Sequence, residues 1–423
     1  MRTSAERRAL GACVRLPAAS WGCASARCGS RRCRRVWAAF RAACRLSEQH
    51  VPLRALRVQV SSGGGCEKRL SGCSAEPFLA RLRPIAARRR SCYHHPAMPD
   101  MPCWTQDDVR GFLAHYGIPA LVLEAAPLAG GCDNLNLLVT LGARRMVLRR
   151  YSHTTEDEIE WELQLIRHLG SRGYPTPAVL AGEDGALFHS FLGRPAALFT
   201  FVPGRESSPQ SAQDCAQVAA AVAELHLITR DLHLPHARSH TDSKRLERLA
   251  ATASRVASPG LAEMAAQAIA FRGHFTGRLA EVNGDLPSGV VHHDANPGNA
   301  LLDEEGKVVA IIDFDEAHEG ELVTDVASLL RLWATPRDWQ GLRAEMTEAV
   351  LAAYNRHRPL SLAEWEMLPD FFLLFTLADA AEYVSRSLAS DPTGTPVHEC
   401  LAYQRFIDLQ RDRTWMRMLR PRL

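Results

Sequence analysis

Residues 290 to 318 read VVHHDANPGNALLDEEGKVVAIIDFDEAH, and this stretch limits the fold more than any other. Two short apolar runs, each suited to a buried strand, enclose a loop rich in histidine, aspartate and asparagine. A polar turn between strands would account for a lone Asp-Ala-Asn-Pro-Gly. It does not account for Asp313 and Asp315 at the end of the next apolar run, VVAII. So many oxygen donors at set distances on buried, rigid strands point to a site that holds charge.

Length and composition frame that site. A chain of 423 residues that is 46% hydrophobic can bury a sizeable core and suits two or three domains. No apolar run reaches the roughly 18 residues that cross a bilayer. The nearest, DFFLLFTLADAA (370–381), has Asp379 within it and Glu382 beside it, which predicts a buried helix of a soluble protein and no membrane partner. The net charge of +3 conceals a split. Residues 1–97 carry 19 Arg and one Lys against four Glu, whereas 98–423 carry 30 basic and 43 acidic residues. Eight of the twelve cysteines also precede residue 93.

The first 97 residues show no sustained apolar period, and we expect a disordered, basic, Cys-rich extension there. Four readings stand: a zinc site, though the cysteines lack paired C-x₂₋₄-C spacing; a nucleic-acid arm; a transit peptide; or translation upstream of a true start at Met98 or Met101. The last is the expectation adopted, and 1–97 is set aside from the fold. No nucleic-acid partner is expected for the folded part.

From residue 98 the pattern is that of a globular enzyme. Thr105 and Asp108 form a capping box for a helix over 105–116. Strands are expected at 120–128, 136–141 and 145–151, with a hairpin turn at GAR (142–144), and at ALFHSF and PAALFTFVPG. Ile159, Leu163, Ile166 and Leu169 share one face of a helix over 154–173. These make a five-stranded antiparallel sheet with a helix across it. Beyond about residue 204 the chain turns helical: 212–228, 243–256, 260–283, 321–334, 338–356, 361–389 and 396–418. The fold class expected is α+β, a small sheet lobe over 98–202 joined near 200–204 to a mostly helical lobe over 203–423.

The spacing His292-x-Asp294-x-x-x-x-Asn299, followed by Asp313-Phe314-Asp315, matches the catalytic loop and metal site of kinases. Phosphoryl transfer needs a carboxylate to orient an attacking hydroxyl and accept its proton, which suits Asp294. It also needs hard oxygen ligands for Mg²⁺, which suits Asn299 and Asp313. With its Pro-Gly, HHDANPGNALLD is similar to the H-G-D-x-x-P-G-N loop of the aminoglycoside phosphotransferase / choline kinase superfamily, small-molecule kinases of protein-kinase-like fold. The resemblance runs across about 105–390. This chain departs from it at His293, where that loop has glycine.

The resemblance implies ATP and Mg²⁺ as cofactors and a small-molecule hydroxyl as acceptor. It places a phosphate-covering loop at Gly130, Gly131 and Cys132, and a phosphate-gripping cation at Arg149, where the family usually has lysine. Glu162 is then the expected partner of Arg149. It implies a hinge at 197–204, with the backbone of Thr200 to Val202 on the adenine edge and Phe199 or Phe201 against the ring. Asp325 braces the catalytic loop, and His292 stands with Asp294 among the catalytic residues, as a scaffold rather than an acid or base. Asn296 and Asp315 can reach metal or substrate. The small-lobe phrases resemble the type II homoserine kinase branch. Asp379 and Glu382 on one helical face can hold an ammonium, as in homoserine, another amino alcohol or an aminoglycoside. A catalytically inactive nucleotide-binding member of the same fold is the competing reading, which retention of Asp294, Asn299 and Asp313 opposes. The cytoplasm, where ATP is, is the compartment expected.

Overall fold

The computed structural model describes residues 14–17, 58–61 and 104–420, apart from 120–122, 129–133, 237–241, 257, 259, 283, 337–340, 391–396 and 398–399. The chain divides into two units, Met1–Arg83 and Pro84–Leu423. In the first, β1 (Val14–Pro17) and β2 (Val58–Ser61) pair in parallel.

Helix α1 (Gln106–Ala114) starts at the expected capping box: Asp108 N donates to Thr105 Oγ1 at 3.2 Å, and Thr105 N to Asp108 Oδ2 at 2.7 Å. It buries Val109, Phe112 and Leu113 against one face of an antiparallel sheet. The sheet runs β3 (Glu124–Pro127), β4 (Leu135–Leu141), β5 (Arg144–Arg150), β8 (Arg194–Thr200), β6 (Val179–Leu180), with β7 (Phe188–Phe191) also on β8. Alternation along the strands turns Leu135, Leu137, Val139, Met146 and Leu148 toward α1. It therefore turns Arg149 to the opposite face. The β4–β5 hairpin closes at Gly142, whose φ of 58° is one that glycine adopts without steric cost. Sequence reasoning expected five strands; β6 is a sixth. Its two residues lie in the Pro-punctuated stretch read as a connection, and only their pairing with Leu198 and Phe199 makes them a strand.

Helix α2 (Glu156–Ser171) begins at a second capping box, Thr155 with Glu158, and buries Ile159, Leu163, Ile166 and Leu169 as the periodicity required. The other part of the unit is mostly helical: α3 (Ala212–Ile228), α4 (Asp242–Ala253), α5 (Leu261–Val282), α6 (Val323–Trp333), α7 (Ala344–His357), α8 (Leu362–Ser390) and α9 (Leu401–Arg411). The expected helix over 396–418 stops at Arg411, and Thr414–Leu419 forms a separate 3₁₀ turn. Along α8, Phe371, Phe372, Leu373, Leu374, Phe375 and Thr376 are all buried, as an apolar helix inside a bundle must be. Among the described residues no helix is long and apolar enough to cross a membrane.

Two small sheets sit among these helices. Strand β10 (Ser288–Val291) pairs with β13 (His318–Glu321), and β11 (Ala300–Leu302) lies between β9 (Arg205–Glu206) and β12 (Val308–Ile311). The β11–β12 register pairs Ala300 with Ile311, and Ile312 N donates to Asn299 O at 2.9 Å. Asn299 and Asp313 therefore emerge at the same end of one ladder.

Candidate active site

The loop from His292 to Asn299 leaves β10 and returns as β11. Its backbone is held from behind by Asp325, in the first turn of α6 and fully buried. Asp325 accepts from His292 N at 2.7 Å, His293 N at 2.6 Å and His226 Nε2 at 2.9 Å. Burial by itself raises its carboxyl, but the bond and charge of His226, with His292, bring it down to about 2. This grip holds His293 at a φ of 70°, a left-handed conformation that costs a non-glycine residue about 1–2 kcal/mol.

The same loop orients Asp294. Asn296 Nδ2 donates to both of its carboxylate oxygens at 3.0 Å, and Asn299 Nδ2 to its Oδ2 at 3.1 Å and its carbonyl at 2.9 Å. Asn296 is itself fixed by accepting from Gly298 N at 2.7 Å. Trp333 Nε1 and Ser207 Oγ donate to the Ala295 and Pro297 carbonyls. Burial pushes the Asp294 carboxyl up to about 7, the Asn296 amide opposing and Asp313 and Glu316 adding. A carboxylate so placed can exchange a proton near neutrality. His292 does not share this role. Its Nδ1 accepts from Asp294 N at 3.3 Å, so Nε2 carries the hydrogen toward Ile312 O at 3.2 Å. Burial holds it below the ordinary imidazole range despite Asp325 and Asp313. It is a neutral strut.

Across the cleft, Arg149 Nη2 donates to Asp313 Oδ1 at 2.7 Å and Asp315 Oδ2 at 3.0 Å. Burial opposes its charge, but Asp313, Glu162 and Asp315 outweigh burial and keep the guanidinium protonated. Here the geometry departs from expectation: the hydrogen-bonded partners of Arg149 are the two aspartates. Glu162, fully buried, accepts instead from Tyr151 Oη at 3.2 Å and acts on Arg149 through its field. Two carboxylates share one cation. Burial favours neutral forms of both, Arg149 holds Asp313 ionised, and Asp313 helps push Asp315 up. Asp313 also takes a left-handed φ of 69°.

This donor set suits a divalent cation. Both hydrogens of the Asn299 amide are spent on Asp294, so its Oδ1 is the atom left to take a metal, beside the ionised Asp313 carboxylate. Among the described residues no group of three or more His, Cys, Asp or Glu side chains closes around a metal alone. Magnesium needs none, since it keeps waters and takes one or two carboxylates beside substrate phosphates.

Other expectations fare differently. Gly130, Gly131 and Cys132 lie outside the described residues. At the hinge, the Thr200 and Phe201 amides donate to Ala178 O and Arg145 O, at 2.9 and 3.3 Å, so neither is turned toward a base; Val202 lies past the end of β8. Phe199 is core, and Phe201 carries the Arg145 guanidinium 4.2 Å from its ring centre. Asp379 and Glu382 are not an open pair: Asp379 binds Arg331, and Glu382 binds Arg248 at 2.9 Å and Arg386 at 2.6 Å.

Sequence reasoning missed two groups. Asn134 donates to Asp315 Oδ2 at 3.3 Å while accepting from Ser152 N at 3.1 Å; a polar residue heading an alternating strand was its only signal. Beside Asp294, His293 Nε2 lies 3.3 Å from Asp242 Oδ1, and Arg245 Nη2 lies 2.9 Å from Glu316 Oε2. Nothing in local sequence joins α4 to that loop.

A family model described as the phosphotransferase enzyme family matches residues 124–361, more than half of the chain. The chain belongs to this family. The phosphotransferase is 30% identical over 332 residues to the homoserine kinase of Caulobacter sp. (strain K31), a span of 73% of this chain and 95% of that protein. It is 33% identical over 273 residues to the homoserine kinase of Rhodospirillum rubrum, covering 63% of this chain and 81% of the other. Among solved structures it resembles amicoumacin kinase hAmiN, with a TM-score of 0.58, 16% identity and 79% and 97% of the two chains covered. It also resembles a microcompartment-associated aminopropanol kinase, with a TM-score of 0.55, 20% identity and 74% and 100% covered. At these identities the likeness is one of fold. The phosphotransferase is an enzyme that acts on an alcohol group, as sequence reasoning expected.

Proposed function

We propose that this phosphotransferase moves the γ-phosphoryl group of ATP to the hydroxyl of a small amino alcohol, with homoserine the favoured acceptor. The observation that carries the reading is the Asp294 carboxylate, gripped by Asn296 and Asn299 and ionising near neutrality at about 7, on the same ladder end as Asn299 and Asp313. The acceptor hydroxyl hydrogen-bonds to Asp294, and its oxygen forms the new bond to phosphorus as the bond to ADP breaks. Asp294 takes the proton and later releases it to water. Asn296 and Asn299 hold the carboxylate in line, so that orientation is set before the acceptor arrives. Magnesium, when held by Asn299 Oδ1 and Asp313, supplies positive charge to the nucleotide phosphates. Arg149 keeps Asp313 ionised for that task, and the backbone around Gly130 to Cys132 completes phosphate binding.

Homoserine is preferred to an aminoglycoside because homoserine kinases align with this chain over 79–95% of their length. The test is ADP release from Mg·ATP with homoserine, other amino alcohols, sugars and aminoglycosides. Homoserine should give the highest kcat/KM. A better aminoglycoside would overturn the acceptor, and no ADP release with any hydroxyl compound would overturn the reaction.

A further inference from the structure

A cavity of about 400 Å³ lies where the C-terminal ends of α3 and α7 meet the start of β10. Its walls include His226, Arg230, Ser288, His357 and Arg358. None of these takes part in the proposed phosphoryl transfer. Arg230 is exposed and pairs with no carboxylate among the described residues. Arg358 is mostly buried, with Nη2 2.9 Å from Glu364 Oε1 and Nη1 donating to Tyr354 Oη at 2.9 Å. Basic residues at helix C-termini often serve only to offset the helix dipole. That role requires neither a cavity between them nor a serine on its wall.

What sets this cavity apart is its connection. Arg358 donates to Tyr354 Oη, whose hydroxyl lies 2.6 Å from His226 Nδ1, and His226 Nε2 lies 2.9 Å from Asp325 Oδ2. Asp325 is an acceptor only, so Nε2 carries the hydrogen and Nδ1 receives that of Tyr354. Every donor in the row therefore points from the cavity toward Asp325, and Asp325 holds the His292 and His293 amides.

We infer that this cavity binds a small oxyanion, a carboxylate or phosphate, between Arg230 and Arg358, and that the Arg358–Tyr354–His226–Asp325 row ties its occupancy to the backbone of the catalytic loop. Guanidinium groups match both oxyanions through paired N–H donors. An anion bound there is bound only while Arg358 and Tyr354 are in place, so it suppresses openings of the loop that displace them. By linkage, ligand at ten times its Kd slows exchange through such openings about tenfold.

The experiment titrates inorganic phosphate, and separately succinate, into the full-length protein by calorimetry, beside the Arg230→Glu variant. Hydrogen exchange is then followed in a peptide spanning residues 288–299. The expected result is saturable binding of at least one anion, lost in Arg230→Glu, with slowed exchange at His292 and His293 in the wild type alone. Because Arg230 is exposed, the variant should melt at the wild-type temperature without anion. Lack of saturable binding overturns the inference, as does binding that survives Arg230→Glu, which places the anion elsewhere. Binding that is lost in the variant but leaves loop exchange unchanged in the wild type overturns the connection. No outcome depends on which alcohol is phosphorylated.

Discussion

Replacing Asp325 with asparagine tests whether the loop from His292 to Asn299 is held by a buried anion. The carboxylate faces three donors, His292 N, His293 N and His226 Nε2. Asparagine has nearly the same shape but one acceptor oxygen, and wherever its NH₂ turns it meets an N–H. With the oxygen toward His292 and His226, the His293 amide loses its partner; in the other orientation two donors do. One lost bond to a charged group is worth about 1.5–3 kcal/mol. The carboxyl itself gives a second route to the magnitude. Its ordinary value of 3.8 falls to about 2 in the fold although burial pushes the other way. That difference corresponds to about 2 kcal/mol at neutral pH. The two routes agree, and at about 2–4 °C per kcal/mol the variant should melt roughly 4–10 °C lower. The sign with pH follows. A depressed carboxyl stabilises fully above its unfolded value of 3.8 and loses that contribution as pH falls through about 2. The gap between wild type and Asp325→Asn in circular-dichroism melts should be constant from neutrality to about pH 5, then shrink on acidification. Melting temperatures that agree within about 1 °C at neutrality would refute the reasoning. So would a gap that widens in acid.

Asp294→Ala should lower ADP release by about 10²–10⁴-fold with nucleotide affinity largely retained, read by turnover and ATP titration; unchanged turnover removes the base. In the wild type, log(kcat/KM) should fall with unit slope below about pH 7, because Asp294 must be ionised to take a proton and its carboxyl sits near that value; a flat profile down to about pH 5 contradicts this. Asn299→Ala should raise the Mg²⁺ concentration for half-maximal rate about 10–100-fold, and an unaltered requirement excludes its amide oxygen as a ligand.

The candidate site was legible where its chemistry is local. His292, Asp294, Asn296 and Asn299 occupy eight consecutive residues, and the strand VVAII fixes Asp313 by register, so spacing alone located them. The capping box at Thr105 and the apolar face of α2 were legible for the same reason. The pairings were not. Arg149 reaches residues 164 and 166 positions away, and helical spacing that put Asp379 beside Glu382 could not reveal Arg331 and Arg248 on other helices. Charge partners across a tertiary interface leave no periodic trace. Strand β6 escaped because two residues carry no pattern of their own.

The join between sheet and helices has a mechanical consequence. Thr200 ends β8, Phe201 N is tied to Arg145 O, and Arg205 already belongs to β9, locked onto Leu302. Pro203 has a fixed φ, and a methyl at Gly204 would sit 3.1 Å from Leu301 Cβ, Leu302 O and Val309 Cγ2. Rotation between the two halves therefore falls on the few bonds from Phe201 to Gly204, where only glycine fits and glycine is itself the most permissive residue. The β9–β11 pairing begins just past that join and lies wholly on its helical side, so the two halves can turn about 201–204 with that ladder intact.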